Sequence, residues 1–158
     1  MKNYRILITA LLFIITINSF GQKVVTGTAT KVYDGDTFTL LTEQGEEMKI
    51  RIIGIDAPEK NQEHGIIARD FARSLIDGKT VRVYLEPGDT YGRKLGIVIT
   101  PDGKQFSYEM VLNGHAWHYK KYNSDKYLAA AEKQARENKS GLWADADAQA
   151  PWEWRREN

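Results

Sequence analysis

The sequence predicts a mainly β domain with helices (α+β): a five-stranded OB-fold barrel with about three covering helices. Three observations predict it. Short runs rich in Val, Ile, Thr and Phe are separated by Asp-Gly, Gln-Gly and Pro-Gly signals. One helical stretch falls between the third and fourth runs. The remaining helical stretches come only after the fifth.

The elements follow in order. Lys23 to Tyr33 is the first strand and breaks at Asp34-Gly35. Thr37 to Thr42 is the second, and Glu43 to Glu46 is a turn. Met48 to Ile55 is the third. Pro58 blocks its continuation, and Asn61 can cap a helix. Ile67, Phe71 and Leu75 form that helix's apolar stripe at a spacing of four, and Asp77-Gly78 ends it. Thr80 to Leu85 alternates as the fourth strand, and Pro87-Gly88 turns the chain. Leu95 to Thr100 is the fifth. Phe106 to Asn113 reads as a short helix closed by Gly114. Ser124 caps a last helix with Leu128, Ala131 and Ala135 inward, and the tail AQAPWEWRREN reads as extended.

The first residues stand apart from this domain. Lys2 and Arg5 precede the apolar run Ile6 to Ile17, and small residues Ser19 and Gly21 follow. That pattern predicts a signal peptide over 1–21 and a secreted or periplasmic product. The alternative is an uncleaved membrane anchor, although the run is short for a span. The division is then 1–21 leader, 22–144 barrel domain and 145–158 tail. The whole chain carries +1, and without Lys2 and Arg5 it has 20 basic residues against 21 acidic ones. A polyanion partner must therefore be held by a local cluster or a metal, not by the whole-molecule field. There is no cysteine, which excludes thiol catalysis and thiolate metal sites.

Two acid clusters lie at strand ends: DGDT, Asp34 to Thr37, and IDAPE, Ile55 to Glu59. Carboxylates without His or Cys suit a hard cation such as Ca²⁺ or Mg²⁺. DGDT alone reads as a plain turn more readily than as a metal site. It lacks the third ligand of an EF-hand loop, where Phe38 stands, and the apolar strand that an Asp-x-Asp phosphatase needs before it. Arg51 cannot lose its charge, and its fork suits phosphate. In an unbroken strand Arg51 and Asp56 would face opposite sides, so Gly54 is the expected site of a bulge. A metal-binding acid and a fixed cation aimed at one point suit a phosphodiester. Arg93, opening the fifth strand, is a second such cation. His115 and His118 lie three apart but have no third nitrogen ligand nearby and read as structural.

The ordered set DGDT, R-x4-D-x-P-E and D-x-YGR, continuing through EMVLNGHAW and a terminal helix followed by GLW, resembles the staphylococcal nuclease (thermonuclease) family over Thr26 to Ala144. The resemblance implies an OB-fold and a Ca²⁺-dependent endonuclease of DNA and RNA, with P–O5′ cleavage leaving 3′-phosphates. It assigns Asp36, Asp56 and the Ala57 carbonyl to the metal, Glu59 to the attacking water, and Arg51 and Arg93 to the transition state. Asp34 is implied beside the metal acids, and Tyr91 and Tyr122 along the nucleotide pocket. Thr90 and Lys120 depart from the family's lysine and tyrosine. Single strands are the expected substrate, because an unpaired base can stack on the protein. A monomer without a stable protein partner is expected. The rival is a non-catalytic nucleic-acid-binding OB module, which would be expected to lose the acids and arginines that are present here.

Overall fold

A computed structural model of the chain describes residues 23–158, so the expected leader lies outside the described residues. β1 (Lys23–Val32), β2 (Thr37–Thr42) and β3 (Glu47–Ile52) run antiparallel. β4 (Ile55–Asp56) and α1 (Gly65–Ile76) precede β5 (Thr80–Thr90) and β6 (Arg93–Ile99). Then come α2 (Phe106–Leu112), β7 (Trp117–His118), α3 (Lys126–Glu137), a 3₁₀ turn (Gly141–Ala144) and α4 (Pro151–Glu157). Strands β1-β2-β3-β6-β5 close into a barrel, with β3 and β6 parallel, and α1 falls between its third and fourth strands. This is the expected barrel order, with four α-helices where about three were expected.

Alternation decides which side chains fill the barrel. Along β3, Met48, Ile50 and Ile52 point inward, and Lys49 and Arg51 point outward. Phe38, Leu40, Val81, Val83 and Val98 complete the interior. Helices seal it with Ala72 and Ile76 from α1, Phe106, Met110 and Val111 from α2, and Leu128 and Ala131 from α3. The buried stripe of α1 is Ala68, Ala72 and Ile76, flanked by Phe71 and Leu75, and Ile67 is 55% exposed. The stripe sits one residue round from the expected one, because alanines let the helix axis approach the barrel more closely.

Five further expectations are corrected. The third strand ends at Ile52, and β4 is a separate two-residue strand paired with β7, not the end of a bulged strand. Gly54, at φ 84°, turns the chain off the barrel between them. Pro87-Gly88 does not turn the chain: β5 continues to Thr90 across a register shift between Glu86 and Asp89. A bulge accommodates a proline that cannot donate to the ladder. Helix α1 begins after His64 rather than near Asn61, and α3 is capped by Asp125, not Ser124, its side chain accepting from the N–H groups of Tyr127 and Leu128. Finally, the tail is not extended. Pro151 opens α4, Glu153 lies in its first turn, and Arg155 and Arg156 lie in its last, which matches the helix dipole at both ends. Trp152 clips it to Tyr119 and Trp117, at ring-centroid distances of 5.1 and 5.5 Å, beside β7.

Candidate active site

The corner between β3 and β4 explains why Arg51 and Asp56 meet. Once Gly54 turns the chain, strand parity no longer separates them. Arg51 Nη1 donates to the carbonyls of Ile52 and Ile55, at 2.8 and 3.0 Å, filling the concave side of the turn. Its Nη2 donates to Asp56 Oδ1 at 3.0 Å and lies 3.2 Å from Asp36 Oδ2. Two carboxylates from opposite ends of different strands thus converge on one nitrogen.

Asp36 is fixed from the other side. Its Oδ2 accepts from the Ala57 N–H at 2.8 Å, its Oδ1 from the Thr37 hydroxyl, and its own N–H donates to Asp34 Oδ1 at 2.9 Å. Its carbonyl accepts from the Ile52 N–H. Gly35 makes the approach possible: a Cβ there would fall 2.6 Å from the Ala57 side chain. Asp56 is only 1% exposed.

This crowding raises the carboxyl pKa values. Burial, then the charge of Asp36, pushes Asp34 up to about 7. Burial also raises Asp56, against the hydrogen bond from Arg155 and the charge of Arg51. A site whose acids resist ionising is short of positive charge.

Arg155 was not foreseen from the sequence. Its Nη2 donates to Asp56 Oδ2 at 2.7 Å, and its Nη1 donates to Glu59 Oε1 at 2.7 Å and lies 3.3 Å from Asp56 Oδ1. Burial lowers the pKa of this guanidinium, but the hydrogen bonds to Asp56 and Glu59 more than offset it, and the net shift is upward. Glu59 therefore joins the cluster through Arg155.

Arg93 stands differently. Arg51 is in register with Leu95, so Arg93 lies on the same outward face of the sheet, one strand over. Its buried Nε has no hydrogen-bond partner among the described residues. Tyr91, 95% exposed, and Tyr122, 70% exposed, stand open to solvent. The side chain of Thr90 lies outside the described residues. Lys120 pairs with Glu132 at 3.1 Å.

Among the described residues no three His, Cys, Asp or Glu side chains form a ready metal cage. The donors that converge, Asp36 and Asp56, are hard oxygens that meet at Arg51 Nη2, and their chemistry fits an oxygen-loving cation with few protein ligands. The histidines do not contribute. His118 Nε2 bonds Asn123 Oδ1 at 2.9 Å, and His115 pairs with His64 at 3.0 Å and packs on Phe71. Burial, then the neighbouring His64, lowers His115 to about 4.

Residues 49–145 match the family described as staphylococcal nuclease homologue. A protein of Escherichia coli O157:H7 named an uncharacterized endonuclease is 44% identical over 129 residues, covering 82% of this chain and 84% of its own. One of the same name from Haemophilus influenzae is 37% identical over 158 residues, covering 99% and 88%. A micrococcal nuclease of Shigella flexneri is 37% identical over 140 residues, covering 82% and 80%.

Proposed function

The chain belongs to the staphylococcal nuclease family, and from that premise we propose that it is an exported, Ca²⁺-dependent endonuclease of single-stranded DNA and RNA. Membership makes it a hydrolytic endonuclease. The calcium, the strand preference, the P–O5′ bond as the one cut and the export are our reading. The observation that carries it is the meeting of Asp36, Asp56 and Arg51 within hydrogen-bond distance at the barrel mouth, with Glu59 beside them.

In this reading Asp36, Asp56 and the Ala57 carbonyl hold the cation, which when bound polarises a phosphoryl oxygen. Glu59 orients a water in line with phosphorus and accepts its proton. Arg51 and Arg93 donate to the non-bridging oxygens as the five-coordinate phosphorus gains charge. The water oxygen forms the new P–O bond and the P–O5′ bond breaks, so phosphorus stays on the 3′-oxygen as a 3′-phosphate, and the 5′-oxygen leaves as a hydroxyl with a proton taken from solvent. The partnerless Nε of Arg93 supports its share in this: through that atom the guanidinium is not committed to any acceptor among the described residues.

The test uses the chain from Gln22 with single-stranded DNA and RNA, in Ca²⁺ or in chelator. Cleavage in Ca²⁺ and none in chelator is expected, with Glu59→Gln slower by roughly 10²–10⁴. Binding without cleavage in Ca²⁺ would make the chain a binding module. Equal cleavage in chelator would remove the metal from the reaction.

A further inference from the structure

We propose that Arg155 is a positioning residue of the active site, carried there by α4 to hold Glu59 against Asp56. The inference rests on the nuclease reading above. It concerns a residue ten positions beyond the stretch that matches the family, which ends at 145.

The tail is built into a seat. Ala150 and Pro151 are buried, and Trp152 lies flat on Tyr119 with ring planes 8° apart. Trp152 also meets the edge of Trp117, and Trp117 is the strand partner of Asp56 in the β4–β7 ladder. The residue that seats α4 is thus paired with the acid that Arg155 contacts. A second link runs through Gln62, which is buried. Its Oε1 accepts from the Glu59 N–H at 3.1 Å, and its Nε2 donates to the Gln149 carbonyl at 2.8 Å. The loop carrying Glu59 is therefore held to the tail twice, by its backbone through Gln62 and by its side chain through Arg155.

The geometry favours positioning over blockade. Glu59 lies on an irregular loop and its side chain is 33% exposed. Alone it would sample several rotamers. Arg155 fixes Oε1 and leaves Oε2 without a protein partner among the described residues. The planar fork gives each of the two carboxylates an N–H in a fixed geometry, whereas a lysine ammonium on a flexible stem is only a point charge. It also adds a second fixed positive charge where Asp34, Asp36 and Asp56 otherwise share Arg51.

The experiment compares the full chain with Arg155→Ala, Arg155→Lys and Arg155→Gln, each alone and with Glu59→Gln. Readouts are kcat and KM on single-stranded DNA, thermal melting, and Ca²⁺ binding by calorimetry. Arg155→Ala should lower kcat by about 10–100-fold with KM nearly unchanged, as expected when an orienting partner is lost. Lysine should not restore the rate, and added methylguanidinium should restore part of it. In the Glu59→Gln background Arg155→Ala should have no further effect, because both changes remove one unit. Should the alanine variant not fold, Arg155→Gln, which keeps a long polar stem, carries the same comparison. Unchanged kcat, or additive losses in the double variant, would overturn the proposal. Faster cleavage with tighter Ca²⁺ binding would overturn it too and make α4 a plug. A wild-type chain that does not cleave in Ca²⁺ sinks the nuclease reading as well, whereas active wild type with an equally active alanine variant sinks only this one.

Discussion

At the β3–β4 corner Arg51 donates to two backbone carbonyls and Asp56 and forms an ion pair with Asp36, whereas at the β5–β6 tip the buried Nε of Arg93 has no hydrogen-bond partner among the described residues. Both arginines have the same place in the sequence pattern, each beside a strand end and an acid. The corner is already assembled. Its guanidinium braces the turn that aims Asp56, so in the proposed reaction Arg51 is a structural and a functional group at once. The tip waits for an acceptor. Sequence spacing treats the two alike, and only the hydrogen bonds separate a preorganised half from a half that, in the proposed reaction, substrate completes.

Arg51→Ala should therefore have the largest effect. It strips a guanidinium from two buried carboxylates and two carbonyls, a loss of roughly 3 kcal/mol of stability on top of lost turnover. Melting in chelator and cleavage in Ca²⁺ should both collapse, and Arg51→Lys should not rescue either, since one ammonium cannot reach all four acceptors. Arg93→Ala comes next. Cleavage should fall by about 10²–10³, the scale for one lost transition-state donor, with melting unchanged. If Arg93→Ala melts as early as Arg51→Ala, the contrast between corner and tip is gone.

The same contrast marks what was legible in the sequence. The barrel strands could be read because Met48, Ile50 and Ile52 alternate with Lys49 and Arg51, a period that only a half-buried strand gives. Asp36, Arg51, Asp56 and Glu59 could be read because acids and a fixed cation at strand ends have no packing role to explain them. What escaped depends on distant contacts. Arg155 lies 99 residues from Asp56, and nothing in the spacing joins them. Helix α4 is seven residues long and shows no period, so two tryptophans in a short tail gave no sign of which surface receives them. The stripe of α1 was misplaced because alanines carry little hydrophobic signal yet fit nearest the barrel.

Gly54→Ala tests whether the corner's turn, and not only its charges, positions Asp56. The backbone there has φ 84°, and a Cβ would fall 2.9 Å from Leu128 Cδ1 and 3.0 Å from Asn123 Nδ2. Left-handed strain costs about 1–2 kcal/mol and the crowding adds to it. Stability and cleavage should drop together, because Ile55 and Asp56 cannot keep their pairing with β7 if the turn opens. A variant that melts early yet cleaves at the wild-type rate would mean that Asp56 is held by Arg51 and Arg155 alone.

The smallest effect is on the pH dependence of stability in chelator, and it sets the acid corner against the histidine pair. Asp34, raised to about 7 by burial and by Asp36, binds its proton in the folded chain before the unfolded chain does. It therefore adds stability as pH falls from 7 toward 4. His115, lowered to about 4 by burial and by His64, works the other way: the unfolded chain protonates first, near 6.5, and stability is lost as pH falls from there to 4. The two slopes oppose, so the wild-type melting temperature should change little between pH 7 and 5. Asp34→Asn, which can still accept the Asp36 N–H, should leave the histidine slope and fall on acidification by about 1–2 kcal/mol. His115→Gln should leave the carboxyl slope and rise. Parallel curves for the three proteins would mean that neither group is held away from its ordinary pKa, and the crowding of charge at the corner would be relieved by something other than Arg51 and Arg155.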